Sequence, residues 1–401
     1  MSFAYAMADT TVLREKLDQV GDALRAHDID VWVTFGRETS DIAEPALPLV
    51  LGEEFVWPGM VLLTSDERIV VCETHDADTI ADVGLHEVRP YESSLERVFH
   101  ETITEIDPDT IGINYSKSNN TADGLSLGLY KLLEEYVESA DIDAEFRSAE
   151  PVINRVRGTK SPTEMERIQR SVDVSLEILE EMRTQWRPEW SEADVASYMH
   201  ELVEERGLTT AWNPAVCPAV DAGAEAEWGH AKPSDLTLPA GEVLHLDFGV
   251  IYEGYASDMQ RLYYRPVDGD TTIPSGLQAA FDDVRAAITA GFETLRPGVQ
   301  GYEVDAAARE TLTERGWPEY QHGLGHQVGR NVHDGGTYLG PRWERYGDTP
   351  EKEVLEGQVF TIELGVESDW GYLGQEEMAV VTADGAEYLT DPQTEIELLE
   401  T

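Results

Sequence analysis

Asp247 sits inside an apolar run, with Leu244, Leu246, Phe248 and Val250 alternating around it. A carboxylate on a buried strand is costly unless something neutralises it. The segment "GEVLHLDFG" (241–249) aligns with "GQVFTIELG" (357–365), glycine on glycine at both ends and Asp247 on Glu363. Each copy continues to a Gly-Tyr pair, Gly254-Tyr255 and Gly371-Tyr372, and then to a second acid, Asp258 or Glu376. The two acids are 11 residues apart in the first copy (258 − 247) and 13 in the second (376 − 363).

Both copies read as β-hairpins. Pairing about the midpoint between Tyr252 and Glu253 opposes Asp247 to Asp258, and pairing about Asp369 and Trp370 opposes Glu363 to Glu376. Opposed residues on one face of an antiparallel pair have Cβ atoms roughly 4.5–5.5 Å apart. Two such hairpins packed face to face bring four carboxylates to one spot. Clustered negative charge needs cations, and an oxygen-rich set suits hard or borderline divalent metals. Glu377, next to Glu376, reads as a solvated strand-edge acid.

Three histidines crowd into "HGLGHQVGRNVHDGG" (322–336), between the hairpins, where glycines let a loop approach a site closely. His322, His326 and His333 therefore read as metal ligand plus proton-handling groups. His230, in "WGHAKPSD", is a further candidate, and His245 shares a strand face with Asp247 as a supporting or structural residue.

With "HLDFG", "HGLGHQVG" and "FTIELG" together, the sequence resembles the pita-bread metallopeptidases: Xaa-Pro aminopeptidases, prolidases and methionine aminopeptidases, with the metal-free creatinases sharing the fold. The resemblance implies five ligands for two divalent ions, manganese first, with iron, cobalt or zinc as alternatives. Asp247 and His326 would each bind one ion, Asp258 and Glu376 both, and Glu363 would be ligand and proton shuttle. It makes His230 and His333 catalytic histidines beside the substrate, and His322 a pocket histidine. The implied activity is release of the N-terminal residue from Xaa-Pro peptides or dipeptides. The alternatives are a methionine-type aminopeptidase and a metal-dependent lyase or other non-peptidase hydrolase on the same fold. The chemistry is coherent in its own terms: paired metal ions activate water and polarise a carbonyl, a carboxylate moves the proton, and imidazoles donate to the oxyanion. The sequence departs from the family at Gly374, where Xaa-Pro enzymes carry arginine, and in the loop before His230. Arg330 is the candidate to replace that guanidinium.

The elements that must position these residues follow from periodicity. Leu13, Leu17, Val20 and Leu24 line a helix over 11–27, and "VWVTF", "GMVLLTS", "RIVVCE" and "TIGINY" read as strands before a leucine-rich helix near 123–137. Ser161, Pro162 and Glu164 mark a helix start, "SEAD" (191–194) another, and two more helices are expected at about 276–294 and 302–315. The expected fold class is α/β (α+β). A creatinase-like N-terminal domain (1–155) precedes a pita-bread catalytic domain (156–401) with duplicated β-hairpins and helices.

The chain has 401 residues, with 29 basic and 79 acidic side chains, a net charge of −50. That excess argues against nucleic acid and anionic membranes as partners, leaving a peptide substrate and, as the resemblance implies, a homodimer. No signal peptide is expected in "MSFAYAMADTT", no apolar run reaches membrane length, and Cys72 and Cys217 give no disulfide framework, so a cytoplasmic location is expected. Charge spread along the whole chain reads as a surface adapted to high salt. The melting temperature should therefore rise steeply between dilute buffer and about 1 M KCl, where the Debye length is about 3 Å. An unchanged melting temperature would overturn this reading.

Overall fold

A computed structural model describes residues 10–39, 43–52, 54–227, 229, 231–267 and 272–399. It divides into two compact units at Thr163/Glu164, eight residues beyond the boundary expected from sequence (163 − 155).

The first unit runs α1 (Thr10–Ala26), β1 (Val31–Gly36), α2 (Leu47–Val50), β2 (Gly59–Leu63), β3 (Arg68–Glu73), α3 (Thr74–Val83), β4 (Glu87–Tyr91), α4 (Leu95–Ile106), β5 (Thr110–Ile113), α5 (Leu127–Ser139), β6 (Glu145–Ser148) and α6 (Glu150–Gly158). Its six strands form one sheet in the order β4-β3-β2-β1-β5-β6. The central strands β1 and β2 are buried along their whole length, which is why they read clearly as apolar runs. The edge strands β4 and β6 carry charged, partly exposed side chains, so hydrophobicity does not reveal them.

The second unit runs α7 (Pro162–Gln185), α8 (Glu192–Glu205), β7 (Thr209–Thr210), β8 (Ala219–Ala222), β9 (Val243–Phe248), β10 (Val250–Tyr252), β11 (Tyr255–Ala256), β12 (Met259–Tyr264), α9 (Ser275–Thr294), α10 (Gly301–Glu314), β13 (Val359–Leu364), β14 (Glu367–Ser368), β15 (Gly371–Tyr372), β16 (Gln375–Val381), β17 (Ala386–Tyr388) and β18 (Glu397–Leu398). Helix α7 begins at the anticipated proline. Helix α8 opens with a reciprocal cap, Ser191 and Asp194 each bonding the other's backbone N–H. No helix among the described residues is long and apolar enough to cross a membrane.

The two copies of the repeat are β9–β12 and β13–β16. Their leading strands share one burial pattern, four buried residues, a half-buried acid and a buried residue. Leu244, Leu246 and Phe248 pack into a cluster with Val172 and Leu179 of α7 and Met199 of α8. Phe360, Ile362 and Leu364 pack likewise with Phe281 and Ile288 of α9 and Ala308 of α10. Each hairpin thus covers its outer face with its own helix pair.

Two expectations are corrected here. The hairpins do not pack face to face: they join edge to edge in one sheet, order β13-β16-β12-β9-β8, through Gln260 of β12 opposite Glu376 of β16. And Glu377 is not a solvated edge residue. Consecutive side chains on a strand point to opposite faces, so Glu377 turns away from Glu376 into the buried layer. There it accepts from Arg261 Nη2 (3.1 Å), Thr390 Oγ1 (2.6 Å) and the Gln393 N–H (2.8 Å).

Removing one partner of a buried ion pair leaves an uncompensated charge and costs about 3–5 kcal/mol. Glu377→Ala should lower stability by an amount of that order in a denaturant titration, far more than Glu397→Ala on exposed β18.

Candidate metal centre

Five strands deliver one register row to the inner face of the sheet: Ala219 opposite Asp247, Asp247 opposite Gln260, Gln260 opposite Glu376, and Glu376 opposite Glu363. Directly opposed residues share a face, so three acids and one amide stand in line. The second hairpin pairs as expected, Glu363 against Glu376.

The first hairpin is shifted by two: Asp247 opposes Gln260, and Asp258 is its diagonal neighbour on the same face. The reason is the turn. Glu253 and Gly254 both have positive φ (46° and 82°), as a primed two-residue hairpin turn requires. Tyr252 then pairs with Tyr255, and that register holds down to Asp247.

His326 arrives from beyond the sheet edge. Its carbonyl accepts from the Thr361 N–H (2.9 Å), its own N–H donates to Thr361 Oγ1 (3.1 Å), and the Leu324 carbonyl accepts from the Glu363 N–H (2.6 Å). The imidazole Nε2 lies 3.5 Å from Asp258 Oδ2 and 3.8 Å from Glu363 Oε1. One ligand atom each from Asp258, His326 and Glu376 falls within 4.8 Å of the others, and all three residues are buried. Asp247 and Glu363, at the two ends of the row of polar side chains, are half-buried.

This packing is electrostatically untenable for a fully ionised, metal-free chain. Burial, reinforced by Asp247 and Glu363, holds the Asp258 carboxyl well above its usual range. Burial and the same acidic neighbours, Asp258 foremost, do so for Glu376. Burial and Asp247 push Glu363 up to about 8. Burial and the neighbouring His333 hold His326 down at about 3, in the neutral form that ligates a metal. Its Nδ1 faces the Gln327 carbonyl at 3.3 Å and so carries the proton, leaving the Nε2 lone pair turned to the carboxylates. Asp258 Oδ1 and both Glu376 oxygens are buried with no hydrogen-bond partner. Divalent cations would satisfy these atoms and the lone pair together, so the residues present fit the metal ions the sequence implies.

The other sequence candidates are less uniform. His333 is exposed, its ring edge-on to His326 at 4.3 Å between centroids. His322 is exposed beside Tyr320, ring centroids 5.5 Å apart. His230 lies outside the described residues. Arg330 stands over the Tyr255 ring at 5.6 Å.

Sequence reasoning passed over Gln260 and Asp221. Gln260 Nε2 donates to Glu363 Oε2 at 3.0 Å. Asp221 Oδ2 lies 2.7 Å from His245 Nδ1, and it holds that imidazole above its usual value against the downward pull of burial. Both carried a signal: Gln260 is two residues after Asp258 and so on its face, and Asp221 is an acid within the apolar run "AVDA".

The model of metallopeptidase family M24 matches residues 166–383. An Xaa-Pro dipeptidase from Pyrococcus furiosus is 29% identical over 277 residues, 67% of this chain and 73% of that one. Among solved structures, an X-Pro aminopeptidase from Thermotoga maritima superposes with a TM-score of 0.69 at 23% identity, covering 94% of this chain and 99% of that one. A dipeptidase from Mycobacterium ulcerans gives 0.72 at 21% identity, covering 99% and 100%. The fold is accordingly the expected one, a creatinase-type α/β unit followed by a pita-bread unit.

Carboxyls with raised folded-state pKa values contribute stability below their unfolded values, and that stability is lost as pH rises through the folded ones. The chelated chain should therefore lose melting temperature as pH rises from about 4.5 to about 8, and Glu363→Gln should flatten that fall. Restoring the divalent ion should raise the melting temperature most at the alkaline end. A chelated chain equally stable across this window contradicts the charge crowding.

Proposed function

The chain belongs to metallopeptidase family M24, and from that premise we propose that it releases the N-terminal residue from peptides or dipeptides with proline in second place. Asp247, Asp258, His326, Glu363 and Glu376 would hold two divalent ions. The observation that carries this reading is the buried convergence of Asp258, Glu376 and His326, whose ligand atoms lie within 4.8 Å of one another. Manganese suits a set of carboxylates with one imidazole, with iron, cobalt or zinc as alternatives. The proline preference is supported by the Xaa-Pro dipeptidase of Pyrococcus furiosus, which the chain resembles over two-thirds of its length. A homodimer in a salt-rich cytoplasm is the working form we propose.

When bound, the ions supply Lewis acidity that acidifies water and polarises the scissile carbonyl. The remaining work falls to side chains. The half-buried Glu363 carboxylate takes the water's proton through Oε1 and hands it to the departing amine. Gln260 Nε2 grips the other oxygen, Oε2, and leaves Oε1 free to exchange the proton. His333, at the rim beside His326, donates to the oxyanion, with His230 as its counterpart. His322 lines the approach for the substrate.

Two measurements test the reading. Elemental analysis should find about two divalent ions per active chain, and Asp258→Asn should strip most metal and activity, because this carboxylate would help hold both ions. With manganese in molar salt, Ala-Pro, Leu-Pro and Ala-Pro-Ala should release their first residue while Met-Ala-Ser stays intact. Cleavage of Met-Ala-Ser alone would indicate a methionine-type enzyme, and no cleavage by fully metallated protein would favour a lyase.

A further inference from the structure

Behind the acidic row runs a second buried line. Asp221 of β8 and His245 of β9 are directly opposed, with Asp221 Oδ2 2.7 Å from His245 Nδ1. His245 Nε2 lies 3.0 Å from Gln260 Oε1 of β12, and Gln260 Nε2 donates to Glu363 Oε2 at 3.0 Å. The line draws on four strands, β8, β9, β12 and β13, and ends on the proposed proton carrier. Both ends constrain its polarity: Asp221 accepts from Nδ1–H and Glu363 from the amide N–H, so the ring donates from both nitrogens. A carboxylate at Glu363 needs the amide N–H, which leaves Oε1 facing the ring and Nε2 of the ring as donor. Asp221, His245 and Gln260 are all buried, with exposures of 4%, 4% and 6%.

The neighbouring glycine shows that the line is built in. A Cβ at Gly374 would stand 2.4 Å from Gln260 Oε1, 2.5 Å from His245 Nε2 and 2.6 Å from the Tyr372 ring. That ring meets His245 edge-on at 5.1 Å, closing the slot from the side. Any side chain at this position would push the histidine and the amide apart. The space beside Gly374 is filled by Gln260, His245 and Tyr372 from neighbouring strands, while Arg330 stands over the Tyr255 ring.

We propose that Asp221, His245 and Gln260 are positioning residues, a hydrogen-bonded relay that locks Glu363 in one rotamer, and that Gly374 exists to leave it room. The proposal rests on Glu363 being the proton carrier and metal ligand of the reading above. Groups that orient metal-binding side chains typically cost 10–100-fold in affinity or activity when lost.

The test uses the Co2+-loaded full-length chain, whose visible absorption band reports geometry at the ions independently of turnover. Gln260→Leu keeps the volume and removes the donor, Asp221→Asn releases the ring, and Gly374→Ala invades the slot while leaving all three relay residues unsubstituted. Each should keep its full metal content, shift the band, leave KM on Ala-Pro within about twofold and lower kcat by about 10–100-fold. The Gln260→Leu/Asp221→Asn double variant should be no slower than the slower single one. An unshifted band with unchanged kcat in Gln260→Leu overturns the relay, as do losses that multiply in the double variant. Loss of metal from Gln260→Leu also overturns it, in favour of direct ligation. Should the wild type bind Co2+ yet cleave no peptide, the peptidase reading fails alone. The band then decides the relay: a shift in Gln260→Leu supports it and none refutes it.

Discussion

Like charges cannot stand a few ångströms apart inside a protein unless protons or cations neutralise them. That constraint organises the second unit. Asp247, Gln260, Glu376 and Glu363 form one row across the sheet, with Asp258 one step away. A row of this kind is destabilising by itself. It persists because each acid is fixed by a strand whose outer face is committed to a helix layer, so the chain cannot relieve the repulsion by turning the acids outward. Four carboxylates and one neutral imidazole then leave the cluster with a single good solution, positive charge from outside.

The sheet separates two treatments of acidity. On the inner face, Asp258 and Glu376 present buried oxygens with no hydrogen-bond partner among the described residues. On the outer face, Glu377 has Arg261 and three further donors or charges about it, including Arg285 Nη1 at 3.6 Å. Adjacent residues on one strand are thus neutralised by different means, one by the chain itself. Arg261 also bonds the carbonyls of Gln260 and Glu376, at 2.8 and 3.1 Å. The guanidinium therefore ties β12 to β16 beside the Gln260–Glu376 pair.

Much of this was legible beforehand, and the parts that were not have identifiable causes. The internal repeat exposed Asp247 and Glu363 because both interrupt apolar strands at the same point. Pairing in the second hairpin followed from counting. In the first hairpin the count was off by two, since hydrophobic alternation is satisfied equally by registers that differ by two. Only the positive φ values at Glu253 and Gly254 select between them. The edge-to-edge junction was hidden for a different reason: its strand pairing is a single register pair, Gln260 with Glu376, which leaves no periodic trace. Glu377 read as a solvated acid because in a chain with 79 acids an unusual one does not stand out.

The turn at Glu253 and Gly254 has a consequence for descent as well as for geometry. Hairpin tips are ordinarily the places where lineages gain and lose residues without harm. Here the tip sets the pairing of Asp247's strand with Asp258's, and a slip of one residue sends every side chain of a strand to the opposite face. The parity of the tip therefore matters where its length does not. Residues can enter or leave this tip in twos, one for each arm, but an odd change must be repaired by a bulge before the acids. The loop farthest from the acids along the hairpin is in this sense part of their heredity.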